Sequence, residues 1–288
     1  MSVKSKFTAI ADEIRTLTDN TYSMDLDDIL STLNEAKTEV VNQTDLILQI
    51  TEEFDYKTMD LEEKFISARN FKTYENNESE NIGNGAFAYC FNLTSASFPN
   101  CTIIGYGAFA HCSRLTSVNF PSCTTIGNEA FGHCDSLISI NFPKCADIGE
   151  WTFSYCANLS SVNFPNCITI GYNAFIGCRN LVSVSFPNCI SIHYRGFPMC
   201  NKLTSISLPN CIHIGSQTFK DCYNLSQVYL TGLSLCKLNN SDAFDSTPFT
   251  GYSSYFSGTP YIYVPESLVT SYQTATNWTY FSSMIVPY

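Results

Sequence analysis

Phe87, Phe109, Phe131, Phe153, Phe175, Phe197 and Phe219 recur at a constant interval of 22 residues. Each is followed three positions later by a cysteine: Cys90, Cys112, Cys134, Cys156, Cys178, Cys200 and Cys222. A fixed period of about 20 to 50 residues is the signature of a stacked repeat, in which no unit can bury its apolar face without a neighbour. That constraint precedes any propensity argument. It predicts a solenoid, and solenoids present surfaces.

The unit reads Leu-x-x-Val-x-Phe-Pro-x-Cys-x-x-Ile-Gly-x-x-Ala-Phe-x-x-Cys-x-x. One copy is Leu115, Val118, Phe120, Pro121, Cys123, Ile126, Gly127, Ala130, Phe131 and Cys134. Another is Leu159, Val162, Phe164, Pro165, Cys167, Ile170, Gly171, Ala174, Phe175 and Cys178. Alternation sends Val118 and Phe120 inward and Ser117 and Asn119 outward along a strand. Pro121 lacks a donor and ends that strand. Gly127 suits a turn of positive φ. Ala130 and Phe131 are expected to open a short helical turn on the opposite side.

The 14 cysteines invite a disulfide framework, but their positions oppose it. Cys101, Cys123, Cys145, Cys167, Cys189 and Cys211 form a second ladder of the same period, leaving only Cys236 outside. Equivalent side chains on adjacent rungs run parallel, about 4.8 Å apart. A disulfide needs Cβ atoms about 3.8 Å apart and converging. The cysteines therefore read as small buried hydrophobes. No Cys-x-x-Cys is present, which argues against zinc.

The first nine positions match the leucine-rich-repeat template L-x-x-L-x-L-x-x-N/C. Over residues 82–230, the Phe-Pro, Ile-Gly, Ala-Phe, Cys and Leu positions resemble the BspA-type bacterial leucine-rich repeats. The family unit is usually 23 residues; here it is one shorter, between the proline and the Ile-Gly. The resemblance implies a right-handed α/β repeat solenoid. It also implies a binding role, since family members are mostly bacterial surface proteins implicated in adhesion.

The flanks differ. In residues 1–60, Phe7, Ile10, Ala11, Ile14 and Leu17 have helical spacing, as do Ile29, Leu30 and Leu33 after the acidic Asp25 to Asp28. The string Phe7 to Thr18, followed by Met24, Ile29 and Leu33, resembles an N-terminal module of tail-associated proteins in phages of Gram-positive bacteria. Asp19-Asn20 replaces the glycine usual there. The expected organisation is a helical module over 1–60, a solenoid over 61–230 beginning with a degenerate unit, and a C-terminal cap over 231–288. In the cap, Ala243-Phe244 echoes the repeats. Tyr261 to Val264 reads as a strand stopped by Pro265, Glu266 to Thr274 as a short helix, and Ser246 to Pro260 as an ordered surface loop.

The net charge of −11 is uneven. Residues 1–80 hold 8 basic and 18 acidic side chains, whereas residues 81–230 hold 6 and 5. The repeats are nearly neutral, without the basic stripe that nucleic acid requires. No run of about 18 apolar residues predicts a membrane span. No signal peptide is visible, so a virion-associated or cytoplasmic location is expected, with the cell surface as the alternative.

Three groups of residues are candidates for function. The expected concave strand face carries Ser95 and Ser97, Ser117 and Asn119, Ser139 and Asn141, Ser161 and Asn163, Ser183 and Ser185, Ser205 and Ser207, and Gln227 and Tyr229. It is either a recognition surface for a protein or cell-surface glycan, or a solvated sheet made uniform by duplication. His111 and His133 occupy equivalent positions near Asp135, as a metal pair or as drifting surface residues. In Ile192-His-Tyr-Arg-Gly-Phe-Pro-Met-Cys200 the glycine is replaced by His193 and the alanine by Gly196, and Pro198 enters the turn. A local bend there would display Tyr194 and Arg195, residues of hot-spot type; tolerated drift is the other reading. No phosphate loop, His-Glu-x-x-His or Gly-x-Ser-x-Gly occurs, so neither enzyme nor cofactor is expected.

Overall fold

A computed structural model describes residues 72–251 and 258–288. The helical module expected over 1–60, with its tail-protein resemblance, lies outside the described residues, as do the first residues of the degenerate unit.

Each turn of the chain lays down two short parallel strands. The first kind is three residues long: Ser95–Ser97, Ser117–Asn119, Ser139–Asn141, Ser161–Asn163, Ser183–Ser185, Ser205–Ser207 and Gln227–Tyr229. Ser95 lies opposite Ser117, Ser139 opposite Ser161, and Ser205 opposite Gln227. Thr73–Glu75 of the degenerate unit pairs in the same register, with Tyr74 opposite Ala96. These strands do not form one sheet. Pairing lapses between Asn119 and Ser139 and again between Ser185 and Ser205, leaving sheets of three, three and four strands.

The second kind is two residues long and was not foreseen, because Ile-Gly reads as a turn. Asn81–Ile82, Ile103–Ile104, Thr125–Ile126, Asp147–Ile148, Thr169–Ile170, Ser191–Ile192, His213–Ile214 and Lys237–Leu238 form one uninterrupted eight-stranded sheet. In each, the second residue is buried.

The segment around each Ala-Phe is not the expected helical turn. The N–H groups of Phe109 and His111 reach the carbonyls of Ala130 and Gly132 on the next rung, both at 2.7 Å. Those of Ala108 and Ala110 turn back to Gly105 and Gly107, at 3.3 and 3.0 Å. Half of the donors a helix would use are thus committed between rungs. The geometry requires two left-handed residues per unit, such as Gly107 with His111, Trp151 with Tyr155 and Arg195 with Met199. The repeats are therefore β and turn rather than α/β. The α-helix among the described residues, Val269–Thr274, is in the C-terminal segment.

Gly127 is not among the positive-φ residues. A Cβ on it would stand 2.6 Å from the backbone of Gly105 and of Tyr106. Real contacts do not come that close, so the consensus glycine is there for the approach of neighbouring rungs. At His193, where this glycine is lost, no bend follows. Phe197 remains stacked between Phe175 at 5.0 Å and Phe219 at 5.9 Å.

Two columns of phenylalanine fill the core. Phe87, Phe109, Phe131, Phe153, Phe175, Phe197, Phe219 and Phe244 stack in succession at 5.0–5.9 Å. Phe98, Phe120, Phe142, Phe164 and Phe186 form the second column. Phe153 meets Phe164 edge-on at 5.8 Å, the arrangement an aromatic quadrupole favours. Leu208 and Leu230 continue the second column's place and are buried.

The last strands, Tyr261–Val264 and Ile285–Pro287, extend the sheet of Gln227–Tyr229. Phe244 stacks on Phe219 at 5.4 Å, and Trp278 lies beyond it, fully buried, its Nε1–H donating to the Cys236 carbonyl at 2.7 Å.

Candidate recognition surfaces

The cysteines illustrate how the repeat satisfies polar groups. All fourteen are buried and free. In one ladder Cys112, Cys134, Cys156 and Cys178 direct Sγ–H at the carbonyls of Phe87, Phe109, Phe131 and Phe153, at 3.0–3.2 Å. In the other, Cys123, Cys145 and Cys167 donate to the carbonyls of Thr125, Asp147 and Thr169. A thiol is a weak donor on a small apolar body, so it fills volume and occupies a buried carbonyl together. Burial pushes the Cys145 thiol up to about 11 and those of Cys123 and Cys167 up to about 12. Cys112 and Cys134, adjacent in sequence to His111 and His133, are also raised. Nucleophilic cysteine chemistry needs the opposite shift.

Cys236, the residue outside both ladders, sits with its Sγ 3.9 Å from that of Cys211. The hydrogen bond it gives holds Cys211 below the usual thiol value, against the effect of burial. Cys211 retains 5% exposure, whereas the other thirteen cysteines retain none. Alkylation of the folded protein at pH 8 is therefore expected to label Cys211 first and the other thirteen thiols only after denaturation. Peptide mapping by mass spectrometry checks this. Rapid labelling across both ladders would contradict the burial.

The strand face is built as its alternation requires. Ser117, Asn119, Ser139, Asn141, Asn163, Ser183, Ser185, Ser207 and Gln227 are exposed, and Ser161, Ser205 and Tyr229 are half-buried. Its side chains bond along the stack: Asn119 Nδ2 donates to Ser97 Oγ at 3.1 Å, and Asn163 Nδ2 to Asn141 Oδ1 at 2.8 Å. Tyr229 stacks on Tyr263 at 4.6 Å, so the C-terminal end of this face carries an aromatic platform. Exposed Ile138 and Val182 flank the central strands.

The turn face holds the aromatic groups the strand face mostly lacks. Tyr89, His111, His133 and Tyr155 stack ring on ring at 4.6–4.8 Å. His111 is held below the usual imidazole value, first by burial and then by the neighbouring His133. Among the described residues, no group of three or more His, Cys, Asp or Glu side chains is placed to hold a metal ion. A second cluster is centred on the irregular unit. Tyr194 stacks on Tyr172 at 5.3 Å, and the Arg195 guanidinium lies 5.2 Å from the Tyr194 ring centre. Trp151 and Asn173 join this cluster and went unnoticed in the sequence. The signal was present: they occupy the same repeat position as Arg195. Tyr194 is exposed and Arg195 half-buried, both on an unbent rung.

Among the described residues, no helix is long and apolar enough to cross a membrane.

A search of curated proteins found no match. Among solved structures, a leucine rich cell surface protein from Faecalibacterium prausnitzii A2-165 is 26% identical, with a TM-score of 0.48, over 57% of this chain and 48% of that one. The chain thus spans about half the length of that protein. The T. pallidum leucine rich repeat protein is 32% identical, with a TM-score of 0.47, over 50% of this chain and 71% of that one. A leucine-rich repeat protein from Bacteroides ovatus ATCC 8483 is 17% identical, with a TM-score of 0.22, over 76% and 84%. The family model described as the BspA type leucine rich repeat region matches residues 80–188 and 146–252, more than half of the chain. With parallel strands in register and two phenylalanine columns at its core, this chain belongs to the BspA-type leucine-rich-repeat family.

Proposed function

We propose that this protein is a non-enzymatic recognition protein whose strand face engages a protein or cell-surface glycan. The observation that carries the reading is the display itself. Seven successive strands present polar outward side chains from Ser95 to Tyr229, in register within each of three sheets, over a close-packed core. Such a surface suits an extended or repetitive partner better than a small substrate. The acidic N-terminal module would attach the solenoid to a larger assembly, and its resemblance to tail-associated phage proteins supports a virion as that assembly. No cofactor enters this reading.

A second reading is a structural scaffold. It draws on the bonds from Asn119 to Ser97 and from Asn163 to Asn141, through which the face partly satisfies itself.

Binding of the labelled full chain to intact bacterial and epithelial cells tests the two. Arginines in place of Ser139, Asn141 and Ser161 are expected to weaken binding at least tenfold while leaving the fold intact. Unchanged binding by that variant would remove the strand face from consideration. No binding to any cell would favour the scaffold.

A further inference from the structure

Trp151, Asn173 and Arg195 occupy one repeat position on three consecutive rungs. Their N–H groups bond to the carbonyls of Tyr172, Tyr194 and Ser216 at 2.9, 3.3 and 3.1 Å, which holds the three in register. Asn173 is only 1% exposed, and neither its Oδ1 nor its Nδ2 has a hydrogen-bond partner. Buried amides are almost always paired, and leaving one unpaired is costly. Backbone conformation accounts for an asparagine here but not for its unpaired burial. All three residues have left-handed φ, at 57°, 52° and 54°, a conformation asparagine favours, but that preference does not supply the buried amide with a partner.

The neighbouring turn-face residues are aromatic and cationic. The rings of Tyr172 and Tyr194 are nearly parallel, but Trp151 is tilted 59° from Tyr172, so its face is not closed by stacking. Arg195 is oriented rather than free: its Nε donates to Gln217 Oε1 at 2.7 Å, and Tyr194 Oη donates to the same oxygen at 3.0 Å. Gln217 is fixed in turn by its N–H to Asp242 Oδ1. The terminal guanidinium nitrogens meet no carboxylate among the described residues. Trp151 and Arg195 are both half-buried and flank Asn173 in the ladder.

We propose that Trp151, Asn173 and Arg195 bind a carboxylate-bearing pyranose of an acidic glycan, a uronate or sialate unit. An indole face packs against the apolar C–H face of a sugar ring. A primary amide offers a donor beside an acceptor, matching vicinal hydroxyls. A guanidinium held at Nε presents its outer nitrogens to a carboxylate in bidentate geometry. The proposal rests on the recognition reading but places the sugar on the turn face, away from the strand face.

The test uses the full chain, titrated with trigalacturonate and 3′-sialyllactose, with maltotriose as the neutral control and triglutamate as the peptide control. Trp278 is buried in the C-terminal segment, so Trp151 is the tryptophan whose fluorescence should respond. The expected result is a saturable change with at least one acidic sugar, absent in Trp151→Phe and at least tenfold weaker for maltotriose. Arg195→Gln and Asn173→Gly should each weaken it at least tenfold. Glycine adopts the same φ and removes an unpaired amide, so Asn173→Gly should melt no lower than the parent, separating binding from folding. Wild-type affinity in either variant overturns the proposal, as does silence from both acidic sugars. Tighter binding of triglutamate would show that the cluster reads peptide carboxylates instead. The arginine variants at Ser139, Asn141 and Ser161 should keep sugar binding, so the two surfaces can fail independently.

Discussion

Replacing Phe153 by alanine is expected to cost about 3 to 5 kcal/mol of stability, the range for emptying a large buried aromatic site. Phe153 has no solvent exposure. It stacks between Phe131 at 5.5 Å and Phe175 at 5.4 Å and meets Phe164 edge-on. Alanine would leave a void in the first column, beside Phe164 of the second. The surrounding rungs are pinned by their backbone bonds, such as Phe153 N–H to the Ala174 carbonyl at 2.8 Å, so collapse into the void is limited. Because repeats couple mainly to their neighbours, the loss should appear as local opening around residues 131–175 before global unfolding. Denaturant titration with hydrogen exchange reads both. Exposed Ser139→Ala should stay within about 0.5 kcal/mol as the control. A cost below about 1 kcal/mol at Phe153 would contradict the packing.

Trp278→Ala is expected to be of similar size, about 3 to 5 kcal/mol, with a different consequence. Trp278 packs edge-on against Tyr272 at 5.3 Å and beside Phe244 and Phe281. Its loss also leaves the buried Cys236 carbonyl without its indole donor. Tyr272 anchors the same stretch, its hydroxyl accepting from the Cys236 N–H at 2.8 Å. Without the indole, the Phe244 end of the first column is expected to open to solvent, and the protein to self-associate as an uncapped solenoid does. Exchange protection should fall over residues 236–288 while residues 95–185 stay protected. Uniform loss across the chain would mean that the C-terminal segment is no separate cap.

How much of this was legible follows the origin of each feature. Phe131, Cys134 and Phe120 declare burial by period alone, since an apolar side chain repeated on successive rungs meets the same environment each time. The strand at Ser117–Asn119 follows from alternation and Pro121. The short strand at Thr125–Ile126 did not, because two residues carry no readable period and Ile126-Gly127 reads locally as a turn. The turn at Ala130-Phe131 reads as helical from local sequence for a related reason. Alanine and phenylalanine accept a helix, and only the next rung's carbonyls, drawing off Phe131 N–H to Thr152, decide against one. The shared repeat position of Trp151, Asn173 and Arg195 was legible at 22-residue spacing, but the unpaired burial of the Asn173 amide was not.

Sequence by itself determined the stacking, the buried ladders and the neutral outward strand face, because each recurs at one period and a repeat must bury the same face every time. Tertiary structure alone decided three further features: the positive φ of residues such as His111 and Trp151, the role of Gly127 as a point of close approach, and the unpaired burial of the Asn173 amide. These depend on what the neighbouring rung places opposite each residue. That is a property of pairs 22 residues apart, which no local pattern encodes.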